Sequence, residues 1–374
     1  MKLVLAYILL LAVAVATFSL PAADSELLAV SLLLRIADPH DSSALAHYGV
    51  HAVEQTPVFT FGDNIRARIY RPVGVQHAPG MVIVHGVHRL GIDEPRLVAF
   101  ARDMAASGIV VLTPELRDLA DYRITPASIP RIGEAARELK RITHAQSVGV
   151  MGLSFAGGLS ILAAADPRWS SDISYVVSIG GHDDLTRVAT FFATDQIPRP
   201  DGTIAHSTAH EYGALVLVYA HPEDFFSPSD APIAREAIRL HLWEQPQQSD
   251  FVAARLSPAG QAKLKLFFNH DKNATRPELL SSIARHSQEM AAVSPHLHLR
   301  DLRARILLLH GAEDSVIPAV ETQWLAKDSD DHLVNALITP LLTHVDVGKQ
   351  PPLRERFQLV GFMADMLRQA DRGP

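Results

Sequence analysis

Ser154 is the residue best placed to act as a nucleophile. It lies in VGVMGLSFAGG, residues 148–158, between a run that reads as a strand and one that reads as a helix. A serine on so sharp a turn is held in a strained conformation, and only small neighbours avoid clashing with it. Gly152 stands two residues before it and Ala156 two after, followed by Gly157 and Gly158. The pattern is therefore G-x-S-x-A. A serine hydroxyl attacks at neutral pH only when a histidine takes its proton, and that histidine needs a carboxylate to fix its tautomer and stabilise the imidazolium. Later segments supply both partners. The run ILLL leads into His310-Gly311-Ala312-Glu313-Asp314, which puts Asp314 on the loop after a late strand, and a further strand ending at Thr339 leads to His344. Earlier, MVIV runs into His85-Gly86-Val87-His88, where the backbone N–H of Val87 would join that of Phe155 in holding an oxyanion.

Asp183 and Asp184, in the Gly180-Gly181-His182-Asp183-Asp184 segment after the sixth expected strand, are an alternative location for the acid; their other use is to cap a helix. His85 and His310, each before a glycine at a strand end, read as structural residues bonding loop carbonyls. Among the 19 histidines, His206 and His210 with Glu211 would share one face of a helix, but the glutamate does not follow the first histidine as zinc proteases require. No metal ligand set is assigned. His88, His296 and His298 read as surface or loop residues. The absence of cysteine excludes disulfides, thiolate metal sites and a thiol nucleophile. There is no phosphate loop or dinucleotide fingerprint, so no cofactor is expected. A net charge of -7 with no long Lys/Arg cluster argues against a nucleic-acid partner.

These residues need a scaffold, and the periodicity supplies one. From Pro57 onward short β-branched runs alternate with helix-period segments, which predicts a mostly parallel sheet with helices on both faces. Strands are expected at 58–61 and 65–70 (an antiparallel pair around Gly62-Asp63-Asn64), 81–84, 109–112, 147–151 and 173–179. Helices are expected at 95–107, 129–142 and 155–165. The rhythm breaks over 181–300, where helical patterns such as 211–221 and 233–243 come without strands, and resumes at 306–310, 320–326, 334–339 and 353–367. An insertion inside a sheet reads as a helical cap, and its aromatics, Phe191, Phe192, Tyr212, Tyr219 and Phe225 among them, would core it or line an acyl pocket. The division expected is 1–24 as an anchor or signal segment, 25–55 as a helical linker, 56–180 and 301–374 as the two parts of the core, and 181–300 as the cap. On this division a chain beginning near Val53 would hold the whole catalytic body.

Residues 3–20 carry no charge, about 27 Å of helix, and sit between Lys2 and the acidic flank of Asp24 and Glu26. The expectation is a membrane anchor with the body outside the cytoplasm, the alternative being a cleaved signal that releases a secreted or periplasmic protein. A second apolar run, 27–36, is too short to span and would lie on the membrane or pack on the body.

The opening hairpin before a His-Gly strand, the G-x-S-x-A-G-G elbow and the H-G-x-E-D-x-x-I-P segment resemble the α/β-hydrolase superfamily, and within it the dienelactone-hydrolase-like and acyl-peptidase-like esterases. The order Ser154, Asp314, His344 is the order that fold uses. The resemblance covers 57–367 apart from the insertion. It departs from dienelactone hydrolases proper, which use a cysteine, and Ala156 departs from the strict elbow. It implies a serine hydrolase acting on a small-molecule ester or acyl substrate, most simply a carboxylesterase. A peptidase or acyltransferase on the same triad and a non-catalytic binding protein of the same fold are the alternatives.

Overall fold

A computed structural model describes residues 21–343, 346–347 and 353–371. Helix α1 (Pro21–Ala37) precedes a sheet opened by β1 (Val53–Gln55), β2 (Phe59–Phe61) and β3 (Ile65–Pro72), all antiparallel, with Phe61 opposite Ile65. There follow β4 (Gly80–Val84), α2 (Pro95–Ala106), β5 (Val110–Pro114), the single turn α3 (Arg117–Ala120), α4 (Ser128–Thr143), β6 (Val148–Leu153), α5 (Phe155–Ala165) and β7 (Ile173–Ile179).

The chain then leaves the sheet through α6 (Leu185–Thr194), β8 (Gln196–Pro198), β9 (Ile204–His206), α7 (Tyr212–Ala220), α8 (Ala231–Leu242), α9 (Pro246–Ala253), α10 (Pro258–Phe268), α11 (Lys272–Arg285) and α12 (Ser287–Ala291). It returns as β10 (Arg305–Gly311), α13 (Val320–Asp328), β11 (Leu333–Thr339), the short pair β12 (Leu342–Thr343) and β13 (Asp346–Val347), and α14 (Leu353–Asp371).

The nine-stranded sheet has the order β1-β3-β5-β4-β6-β7-β10-β11, with β2 also on β3. From β5 to β11 every neighbouring pair is parallel. Parallel strands are covered on both faces, so their side chains divide between two cores. Val82, Val84, Leu112, Val150, Ile306 and Leu308 point to the face covered by α4, α5 and the cap. Met81, Ile83, Val111, Met151, Leu307 and Leu309 point to the face covered by α1, α2 and α14. This is the α/β architecture the alternation predicts.

The structure decides between the two places expected for the second apolar run and changes two further expectations. The second apolar run is the end of α1, and it packs on the body: Ala29 and Leu32 are fully buried, and Arg35 donates to the Asp103 carbonyl at 3.1 Å and to Ser107 Oγ at 2.7 Å. Of the helical or linker segment expected at 25–55, residues 25–37 are helical and packed on the body. The core also starts before Pro57, because β1 pairs with β3 from Val53. A chain beginning at Val53 would strip a buried apolar face off α2 and α14, exposing it to water. Third, the insertion contains strands, the β8–β9 hairpin, whose three-residue arms are too short to show a two-residue period. Among the described residues no helix is long and apolar enough to cross a membrane. The anchor expected at 3–20 lies outside them.

Candidate active site

Ser154 stands at the C-terminal end of β6 with φ 56° and ψ -134°, a backbone region costly for any residue with a Cβ. The fold over-determines that strain. The Ser154 N–H donates to the Ile179 carbonyl at 2.8 Å, and Gly157 N–H donates to the Ser154 carbonyl at 2.8 Å, which starts α5 at once. The return is so tight that a Cβ on Gly152 would sit 2.2 Å from the Ala156 carbonyl oxygen. At Ala156 a methyl group is accommodated in the core, which explains why the fifth elbow position tolerates alanine. Ser154 Oγ is buried and has no hydrogen-bond partner among the described residues.

The loop after β4 lies directly on the elbow: a Cβ on Gly86 would meet Ser154 Cβ at 3.2 Å. Val87 therefore follows the residue that touches the nucleophile, and Phe155 begins α5 immediately after it. The two residues thus border the serine from separate elements.

Sheet-end hydrogen bonds run on from strand to strand. Gly180 N–H donates to the Leu309 carbonyl at 2.8 Å and Ala312 N–H to the Thr339 carbonyl at 2.9 Å, so the ends of β6, β7, β10 and β11 form one edge. On it Asp314 is buried, and its Oδ1 accepts the N–H groups of Val316 at 2.8 Å and Ile317 at 3.0 Å. Those donors fix the carboxylate by one oxygen. The strand before His344 is close by, since a Cβ on Gly311 would lie 2.3 Å from the Leu342 carbonyl oxygen. His344 itself lies outside the described residues.

No protein-family model matches the chain, and no curated protein does either. Solved structures do. A protein described as a hydrolase from Legionella pneumophila superposes with a TM-score of 0.56 at 12% identity, over 90% of this chain and 94% of its own. The acylaminoacyl peptidase of Pyrococcus horikoshii aligns at 0.45 and 13% identity, over 86% of this chain and 41% of its own. A 2-hydroxy-6-oxo-6-phenylhexa-2,4-dienoate hydrolase from Rhodococcus aligns at 0.42 and 16%, over 86% and 100%. The chain has the α/β-hydrolase fold. It spans about two fifths of the length of the archaeal peptidase.

Within that α/β-hydrolase fold the other singled-out residues find definite places. His85 is buried; it accepts the Leu116 N–H at Nε2 (3.0 Å), so its proton is on Nδ1, which donates to the Gly86 carbonyl at 2.7 Å. Burial pushes its pKa below the ordinary imidazole range. It pins the loop that carries Val87. His310 Nε2–H donates to the Ile317 carbonyl at 2.7 Å and Nδ1 accepts from Thr322 Oγ1 at 2.7 Å, bracing the loop that carries Asp314.

Asp184 caps α6, accepting the Thr186 N–H at 2.8 Å. Asp183 is drawn away into a buried ion cluster. Its Oδ2 accepts from Arg187 at 2.9 Å, while Glu321 takes two bonds from the same guanidinium at 2.6 and 3.0 Å and the N–H groups of Asp183 and Asp184 at 2.9 Å each. The third glycine-rich turn of the sheet edge is thus tied to α13.

His206 lies in β9 and His210 precedes α7, so they do not share a helical face. Instead, His210 N–H donates to the Ser315 carbonyl at 2.7 Å, clamping the cap onto the acid loop.

Sequence reasoning placed Tyr212 only among the cap aromatics and missed its partner Tyr122. Their rings meet edge to face with centroids 6.4 Å apart, and burial, then the nearby Asp314, raises the Tyr212 phenol well above its ordinary pKa. Tyr122 takes φ 57°, a left-handed conformation that spacing does not reveal. Only the fold brings the two together from the body and the cap.

Proposed function

We propose that the protein is a serine hydrolase that cleaves carboxylic esters through an acyl-enzyme on Ser154. The observation that carries this reading is the strained elbow: a buried serine hydroxyl held at φ 56° between Gly86 and the first turn of α5. Fold likeness at 12% identity does not reach the chemistry, so the reading rests on the site.

In the proposed reaction Oγ attacks the acyl carbon while His344 takes its proton, and Asp314 orients and stabilises the imidazolium. The N–H groups of Val87 and Phe155 receive the developing oxyanion, each worth about 3 kcal/mol. His344 then protonates the departing alcohol, and water, deprotonated by the same histidine, releases the acid. No cofactor enters. A peptidase or an acyltransferase would use the same groups with a different leaving group or acceptor. We further propose that residues 3–20 tether the body to a membrane on its outer side.

Labelling with a fluorophosphonate probe and hydrolysis of short p-nitrophenyl esters test the chemistry. Both are expected in the wild type and lost in Ser154→Ala. Labelling equal in the two proteins would overturn the assignment of the nucleophile; labelling of the wild type with amide but not ester turnover would move the reading to a peptidase. Resistance to carbonate extraction tests the tether.

A further inference from the structure

The cap holds a cluster of imidazoles and carboxylates that the proposed chemistry does not use. His221 ends α7, His286 ends α11, and Glu289 lies on α12 three residues beyond His286. His221 Nε2 is 3.5 Å from one oxygen of Glu289, and His286 Nδ1 is 3.2 Å from the other. One nitrogen from each ring and the carboxylate all lie within 4.8 Å of one another. Around a four-coordinate ion with bonds of about 2.1 Å, neighbouring donor atoms are about 3.4 Å apart. The two nitrogen–oxygen separations, each to a different oxygen of the one carboxylate, are close to that value.

The remaining nitrogens also face carboxylates, that of His286 at hydrogen-bond distance. His286 Nε2 is 3.0 Å from Asp224 Oδ2, and His221 Nδ1 is 3.8 Å from Glu223. A carboxylate behind each ligating imidazole is the arrangement that sets the tautomer and raises ligand basicity in metal sites. Asp224 is itself held by Ser282 Oγ at 2.7 Å and by Arg285, and Glu223 by Arg235 at 3.3 Å. Glu223, Asp224 and Glu289 thus face two guanidiniums, leaving one negative charge unbalanced when both imidazoles are neutral.

We propose that His221, His286 and Glu289 form a three-ligand site for a divalent cation of the zinc class, which staples the end of α7 to the junction of α11 and α12. Two imidazoles and one carboxylate select a borderline transition metal over magnesium or calcium. The fourth position falls to water. The rings are stacked with centroids 3.4 Å apart and 10° between planes, so the ion lies in both planes only after they fan apart about Cβ–Cγ.

The test titrates metal-stripped full-length protein with Co²⁺, read by its visible absorption, and with Zn²⁺, read by calorimetry and by melting temperature. The wild type is expected to bind one ion per chain, with Zn²⁺ displacing Co²⁺ and raising the melting temperature. A His221→Gln/Glu289→Gln double variant is expected to bind at least about 100-fold more weakly, since losing even an outer partner costs 10–100-fold. Equal uptake by the two proteins, or no uptake by the wild type, overturns the site. If the double variant melts lower without metal, Glu289→Gln alone carries the comparison, because that side chain is 65% exposed.

Discussion

The loops after β7 and β10 bring acids to the same edge of the sheet and hold them in opposite ways. After β10, Asp314 is gripped through one oxygen by two backbone N–H groups. After β7, Asp183 shares a single guanidinium with Glu321, and Glu321 takes the larger part of it. Backbone donors stabilise a carboxylate without neutralising it, so its field remains available to a neighbouring imidazolium. A shared arginine consumes that field. Burial and the charge of Glu321 push the Asp183 carboxyl up to about 7 despite its bond to Arg187, because one guanidinium cannot balance two buried carboxylates. The loop after β7 therefore fastens the cap and α13 to the core, and under the proposed function the loop after β10 supplies the acid.

The largest expected effect tests this division directly. Asp314→Asn should lower kcat on an ester by about 10⁴, since an amide neither holds the working tautomer nor stabilises the imidazolium. Asp183→Asn should leave kcat near wild type. Steady-state kinetics on p-nitrophenyl esters decide; the opposite pattern would exchange the roles of the two loops.

The next effect falls on stability. Glu321 is fully buried and accepts four hydrogen bonds from α6 and the residues that lead into it. Glu321→Ala would leave Arg187 with Asp183 and the more distant Asp184, and two N–H groups unpaired, costing about 3–5 kcal/mol. A urea midpoint unchanged by the substitution would show that the cluster does not hold the cap.

Much of this was legible in the sequence, and for a physical reason. Strands buried on both faces are continuous apolar runs, so MVIV and ILLL announce themselves, and 155–165 and 173–179 have the same bounds in the structure. The elbow was readable because its geometry admits only small residues, and Gly152 and Gly157 mark it. Chain order put Asp314 ahead of Asp183 as the acid, but the contacts that set them apart were not legible, since they involve Arg187 and Glu321, the latter 138 residues from Asp183. Nor could His221 and His286 be paired: they sit on helix ends 65 positions apart in an insertion whose helices have no strand frame to predict their packing.

The smallest expected effect is a pair of opposing pH slopes. His182 is fully buried beside Phe155, donates from Nε2 to the Val293 carbonyl at 2.8 Å, and has its pKa lowered, chiefly by burial. Below the ordinary value of 6.5 the unfolded chain takes up a proton that the folded state refuses, so this residue's contribution is present above 6.5 and is lost as pH falls. Asp183 runs the other way. Its folded-state pKa is raised, so between 3.8 and about 7 the folded state holds a proton that the unfolded chain has released, and stability falls as pH rises. Asp183→Asn should therefore gain on the wild type as pH climbs from 4 to 7, and His182→Gln, which keeps a donor for Val293, should gain on it as pH drops from 7 to 5. Denaturant midpoints across that range measure both differences. Parallel curves for Asp183→Asn and wild type would mean that its carboxyl is ionised throughout, and that the single guanidinium of Arg187 suffices for both acids after all.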